Sequence, residues 1–259
     1  MTHIICIANQ KGGVGKTTTA VNLSAALAVS GQSTLLVDCD PQANATTGMG
    51  IDKQALDRNL YHGMIGRSEA SDIVIDTGIA NLSMLPSRVE LIGFEVEMMA
   101  DDAREKVLRT LLAPCVKAYD YVILDCPPSL SLLTLNAMVA ADAVLIPLQS
   151  EFYALEGLGQ LLQTIKRIKQ GMNPALRIEG ILLTMFDRRT NLSGQVAENA
   201  EIYFKDMIFK TRIPRTVRLS EAPSYGKPII FYDAASTGAK SYKALAAEIT
   251  NGHRRSRQA

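Results

Sequence analysis

The apolar run His3–Ala8 breaks into Gly12, Gly13 and Gly15 and then into a helix-forming stretch opening on Lys16-Thr17-Thr18. Few folds admit that order. A buried strand that turns through glycines directly into a helix leaves the helix N–H groups facing the turn. The resulting cradle favours an anion. It also commits the next strand to a crossover connection, and so to a parallel sheet with helices on its faces.

The rest of the chain follows suit. Further strands are expected at Thr34–Asp38, Tyr121–Asp125, Ala143–Pro147 and Ile178–Met185. Helical periodicity is expected near Lys16–Ser30, Leu91–Ala118, Ser131–Ala140, Ala154–Gln170, Ser193–Phe204 and Ser236–Thr250. Residues 50–90 are the least periodic and read as an excursion outside the sheet. Without linker or repeat, residues 1–259 read as one α/β domain, a mostly parallel twisted sheet covered on both faces, with a flexible basic tail at 251–259.

The 47% hydrophobic content suits a protein with a substantial core, and no apolar run reaches the ~18 residues of a membrane span. Together with an N-terminus unlike a signal peptide, this predicts a cytoplasmic protein. Cys6, Cys39, Cys115 and Cys126 form no C-x-x-C pair and read as free, mostly buried thiols. Charge is uneven. Residues 205–259 hold 11 Lys+Arg against 4 Asp+Glu, whereas the remainder holds 16 against 22. That asymmetry fits a basic binding face or a solvated surface equally well.

In the cradle itself, Lys16 is placed to reach β- and γ-phosphates and the Thr17 hydroxyl to ligate Mg²⁺. The buried strand Tyr121–Asp125 ends in a carboxylate that could hold the same metal's hydration shell. The usual pattern G-x-x-x-x-G-K-[ST] nevertheless fails, because Gln10 stands where its first glycine belongs. A second lysine, Lys11, precedes the glycines.

With that lysine, KGGVGKTT resembles the deviant Walker A loop of the ParA/MinD ATPases, a branch of the P-loop NTPases. The likeness extends through VDCDPQANATTGMG, DYVILDCPPSLSLLTLNAM, EFYALEGLGQLL, EGILLTMFDRRTNLSGQV and TRIPRTVRLSEAPSYGKPII, which resemble the short chromosomal ParA, or Soj-type, proteins. It implies ATP/ADP bound with Mg²⁺ by Lys11, Gly12, Gly13, Val14, Gly15, Lys16, Thr17 and Thr18. Lys11 would cross a nucleotide-sandwiched dimer interface to the other subunit's phosphates. Asp40 would position the attacking water, with Lys11 and Lys16 completing the catalytic set. Asp38 would join Thr17 and Asp125 around the metal, or else merely cap the chain before Pro41. The adenine would lie near Met185 and Pro214, although Met185 could equally be core.

The same resemblance implies an ATP-dependent homodimer that binds double-stranded DNA without sequence preference through Arg189, Arg218, Lys227 and Lys240, with Arg188 beside Arg189. A ParB-like protein would stimulate hydrolysis and release the nucleoid-associated dimer. A MinD-like membrane-associated division-site regulator is the alternative. It is disfavoured because NGHRRSRQA offers no apolar face to a bilayer. Iron-sulfur relatives would need paired cluster cysteines, and a loop beginning at Lys11 leaves no room for the N-terminal DNA-binding domain of longer plasmid relatives.

Overall fold

The computed structural model describes residues 2–150, 154–187, 189 and 191–256. In chain order its elements are β1 His3–Ile7, α1 Lys16–Val29, β2 Thr34–Asp38, α2 Asn44–Gly48, α3 Leu60–Met64, β3 Ile75–Ile79, β4 Leu82–Leu85, α4 Gly93–Glu97 and α5 Val107–Leu112. There follow β5 Tyr121–Asp125, α6 Leu132–Ala140, β6 Ala143–Gln149, α7 Ala154–Gly171, β7 Arg177–Thr184, α8 Asn191–Phe204, α9 Val217–Glu221, α10 Ile229–Tyr232 and α11 Thr237–Ser256. The strands form one sheet in the order β3-β4-β2-β5-β1-β6-β7, parallel throughout except at the β3–β4 edge.

Alternation along each strand builds two cores. From β1, Cys6 joins Val37, Leu124 and Phe94 on one face, which α4, α5, α6 and α7 cover. Ile5 and Ile7 join Leu36, Ile123 and Tyr242 on the other, which α1 and α11 cover. Each fully buried leucine or isoleucine contributes roughly 2 kcal/mol. Helix α1 is pinned from behind as well. The Asn22 side-chain oxygen accepts from Ile229 N (2.6 Å), and the Thr19 and Tyr242 hydroxyls meet at 3.3 Å. The helix that opens the anion cradle therefore cannot drift from the sheet without breaking buried polar contacts.

Two expectations are corrected. Residues 50–90 leave the sheet only in part, since β4 pairs in parallel with β2 and β3 closes the edge, while 50–74 stay outside the strands. The span expected as one helix over Leu91–Ala118 is broken. A 3-10 turn (Val89–Ile92), α4 and α5 share it with irregular chain, because the Asp101 carboxylate accepts from Ala103 N (2.7 Å) and Arg104 donates to the Met99 carbonyl (2.7 Å). Those local bonds compete with the helical ladder. The expected tail is helical through Ser256, and residues 257–259 lie outside the described residues. Cys6, Cys39 and Cys126 are buried free thiols as expected, while Cys115 is half-buried.

Candidate functional site: a glycine loop over buried carboxylates

The loop after β1 is held from three sides. Asn9 accepts from Lys11 N (3.0 Å) and donates to the Pro147 carbonyl (2.7 Å), and the Thr184 hydroxyl donates to the Val14 carbonyl (2.8 Å). Gly13 and Gly15 take φ of 75° and 86°, left-handed values that a side chain would strain. Gly15 caps α1, so the first N–H groups of that helix open into a cavity of about 270 Å³ lined by Gly12, Lys16, Thr17, Asp40, Pro128 and Met185. Lys16 is buried, and its ammonium donates to the Lys11 carbonyl (3.0 Å). Lys11 itself is exposed at the rim.

Beneath the loop the sheet register sets Asp38 directly beside Asp125. Both carboxylates are fully buried. Asp38 is satisfied locally: Thr46 N (2.8 Å), the Thr46 hydroxyl (2.7 Å) and Asp40 N (3.1 Å) all donate to it. These bonds fix the segment after β2. Asp40 accepts from Gln42 N (2.9 Å) and faces the cavity.

Asp125 differs. Neither of its oxygens meets a hydrogen-bond partner among the described residues. Burial pushes its carboxyl well up and Asp38 and Asp40 push it further; the Thr17 hydroxyl, close enough to draw it down though outside hydrogen-bond geometry, and Lys16 offset only part. Burial likewise raises Asp38 to about 6, against the Thr46 and Asp40 bonds, and draws the Lys16 ammonium down. A buried carboxylate without a donor is costly unless a cation completes it. The glycine cradle, the lysine, the Thr17 hydroxyl and an oxygen-only acceptor together form a donor set suited to a polyphosphate with a hard divalent cation.

Comparison with known proteins agrees. Residues 2–178 match the AAA_31 family model, an AAA domain. The chain is 54% identical to the chromosome partitioning protein ParA of Myxococcus xanthus, covering 95% of this chain and 87% of that one. It is 52% identical to the sporulation initiation inhibitor protein Soj of Bacillus subtilis, covering 96% and 98%. The chain belongs to the ParA/Soj family of chromosome-partitioning ATPases. Its fold also matches a cobyrinic acid a,c-diamide synthase from Mycobacterium smegmatis, solved with an ATP analog and magnesium. That structure has a TM-score of 0.84 and 36% identity, with 95% of this chain and 93% of that one covered.

On this ParA/Soj chain the cationic residues do not form one patch. Arg189 and Lys240 line a groove of about 680 Å³ together with Phe186, Arg212, Pro214 and Arg215. Arg212 lies over the Phe186 ring, 4.7 Å from its centre. Arg189, 89% exposed, donates to both oxygens of Asp187 (2.9 and 2.8 Å), and that pairing pulls Asp187 down to about 2. Arg218 sits elsewhere, between Glu221 (3.2 Å) and Asp233 (3.6 Å), and Lys227 lines a depression beside Thr17 and Thr18. Arg188 lies outside the described residues.

Met185 and Pro214, expected together at the base, line different cavities but are joined through Phe186, which bridges to Pro214. Met185 at φ 50° and Ala43 at φ 53° are left-handed non-glycines flanking the loop, each costing about 1 kcal/mol. Sequence reasoning missed the hydrogen bonds of Asn9, Thr46 and Thr184, which only the fold brings about. It also left Arg212 and Arg215 out of the cationic set, although the basic string TRIPRTVR did advertise them.

Proposed function

We propose that this chain is an ATP-driven partition switch in which Mg²⁺-ATP seats in the loop cavity and two copies close face to face around the nucleotides. The observation that carries the reading is Asp125, a fully buried carboxylate without a hydrogen-bond donor among the described residues, set beneath the glycine cradle beside Thr17 and Lys16. Mg²⁺ would neutralise charge on the bound phosphates there. Lys16 and the α1 N–H groups hold the β- and γ-phosphates, and Thr17 with Asp125 holds the metal and its water. Asp40, oriented by Gln42 N, orients the attacking water. Lys11, exposed at the rim, reaches the phosphates of the second copy as a cation supplied in trans.

The closed dimer binds DNA through Arg189, Lys240, Arg212 and Arg215, with Arg218 and Lys227 as outlying contacts. Such charge contacts carry no sequence information and weaken steeply with salt. A ParB-like activator then completes the slow chemistry at Asp40, and the ADP-bound monomers leave the nucleoid. Support for the DNA reading is the grouping of four cations along one groove. No helix among the described residues is long and apolar enough to cross a bilayer.

The test uses Asp40→Ala, which should arrest turnover with nucleotide bound. Light scattering should then show dimers at saturating Mg²⁺-ATP, retained on DNA at low salt and released as salt rises. A variant that stays monomeric overturns the proposal. Dimers that bind anionic vesicles and ignore DNA would favour the membrane reading, and hydrolysis that tracks a small co-substrate a synthetase-like one.

A further inference from the structure

The segment from Val89 to Met99 is amphipathic with an apolar face left outside. Leu91 and Phe94 point into the core, both fully buried. On the opposite side Val89, Ile92, Val96 and Met99, spaced three, four and three residues apart, are 62%, 54%, 65% and 67% exposed. Isolated exposed apolar residues are ordinary, but four in one helical stripe form a patch of the kind that marks an interaction surface. The stripe is also held in place. Tyr61 donates to Glu97, Arg88 pairs with Glu90 (2.9 Å) and donates to the Leu56 carbonyl (3.1 Å), and Arg104 donates to the Met99 carbonyl (2.7 Å).

Charge decides what it can take. Residues 89–102 hold five acidic residues and no Lys or Arg. Glu90, Glu97, Asp101 and Asp102 are exposed around the stripe. DNA and anionic lipid are repelled from such a surface, and a second copy would set acid against acid. A segment with apolar residues on one face and lysines or arginines on the other matches both features.

The stripe's first residue adjoins the segment that follows Asp40. Val89 and Arg88 line a cavity of about 300 Å³ with Pro41, Gln42 and Lys53, and Gln42 N is the group that holds Asp40 (2.9 Å). Both flanking cations are already engaged, Arg88 as above and Lys53 with the Gln42 carbonyl (3.3 Å). We propose that the stripe Val89–Ile92–Val96–Met99 with its carboxylate rim is the docking surface for a basic amphipathic segment of a partner protein, which on seating touches Pro41–Gln42. Linking that contact to Asp40 chemistry rests on the function proposed above; the docking itself does not.

The experiment therefore omits nucleotide. A fluorescent amphipathic peptide of leucines and lysines at helical spacing is titrated into the full chain, beside a scrambled peptide of the same composition and one with glutamate for lysine. The patterned peptide should bind at least tenfold more tightly than either control. Ile92→Lys with Val96→Lys should remove that preference, while the same double variant keeps wild-type melting behaviour and nucleotide affinity. Hydrogen exchange in the wild type should slow at residues 89–99 and also at 41–54 when the peptide is bound. Equal binding by the scrambled peptide, an unaffected double variant, or unchanged exchange at 41–54 overturns the proposal. A wild-type dimer without nucleotide that the double variant dissolves assigns the stripe to a second copy and overturns it too. Loss of ATP or DNA binding in the wild type would refute the partition cycle yet leave this result standing.

Discussion

The two ends of one sheet treat buried charge in opposite ways. At the carboxyl ends of the strands, Asp125 and Asp38 stand side by side and fully buried, and Asp125 has no hydrogen-bond donor among the described residues. At the amino ends, His3 is as deeply buried but surrounded by partners: Glu179 at 2.9 Å, Asp142 at 3.7 Å, and the stacked ring of His253 at 4.5 Å. One end leaves a charge for a ligand to complete, and the other completes itself. Ligand crevices in parallel sheets lie at the carboxyl end, where loops rather than strands decide what meets the backbone. The opposite end is free to serve stability alone.

That contrast is broken most readily at Lys16. Lys16→Ala removes a buried cation facing Asp125 and Asp40, and nucleotide affinity should fall more than a hundredfold, about 3 kcal/mol, in a calorimetric titration. Undiminished affinity would deny that the cradle is the nucleotide site. Asp125→Asn makes a smaller and opposite demand. It removes the charge that burial opposes, so the ligand-free chain should gain about 1–2 kcal/mol of stability in denaturant melts while losing Mg²⁺-dependent turnover. Loss of stability instead would mean that Asp125 already has its partner, and the two ends would no longer differ.

How far the sequence discloses this contrast depends on the range of the signal. Strands β2 and β5 were legible residue for residue, because a fully buried parallel strand is a continuous apolar run ending in a marked acid. The Lys16–Thr17 loop was legible because glycine, strand and helix occur in one short string. Strand β4 was not, since four residues, Leu82–Leu85, give too short a run to stand out in a polar stretch. The breaks in 91–118 were also hidden, because Asp101 and Arg104 act there through specific hydrogen bonds that composition does not encode. His3 stands far from the other two histidines, His62 and His253, in the sequence. Its partners come from positions 142, 179 and 253, and only strand order brings them together.

His3 supplies the smallest of these tests and the one that separates the two ends by pH. Burial draws its imidazole down, but the Asp142 and Glu179 carboxylates outweigh that, and the net shift is upward despite Arg177 nearby. A histidine raised above its unfolded value of about 6.5 contributes fully below that pH and loses its contribution as pH climbs through the folded value. Asp38, raised to about 6, also makes the folded chain bind more protons than the unfolded one, but over a lower window, from about 4 to 6. Asp125, raised well above its ordinary value, extends that fall to higher pH, so stability of the ligand-free chain should decline with rising pH through contributions from both ends of the sheet. His3→Gln should cost about 1 kcal/mol in melts at pH 6 and progressively less above pH 7, removing only the His3 share of that decline. If the substitution costs as much at pH 8.5 as at pH 6, the ring works there by packing against Tyr121 and His253 rather than by charge, and the amino end is neutral glue instead of a closed ionic cluster.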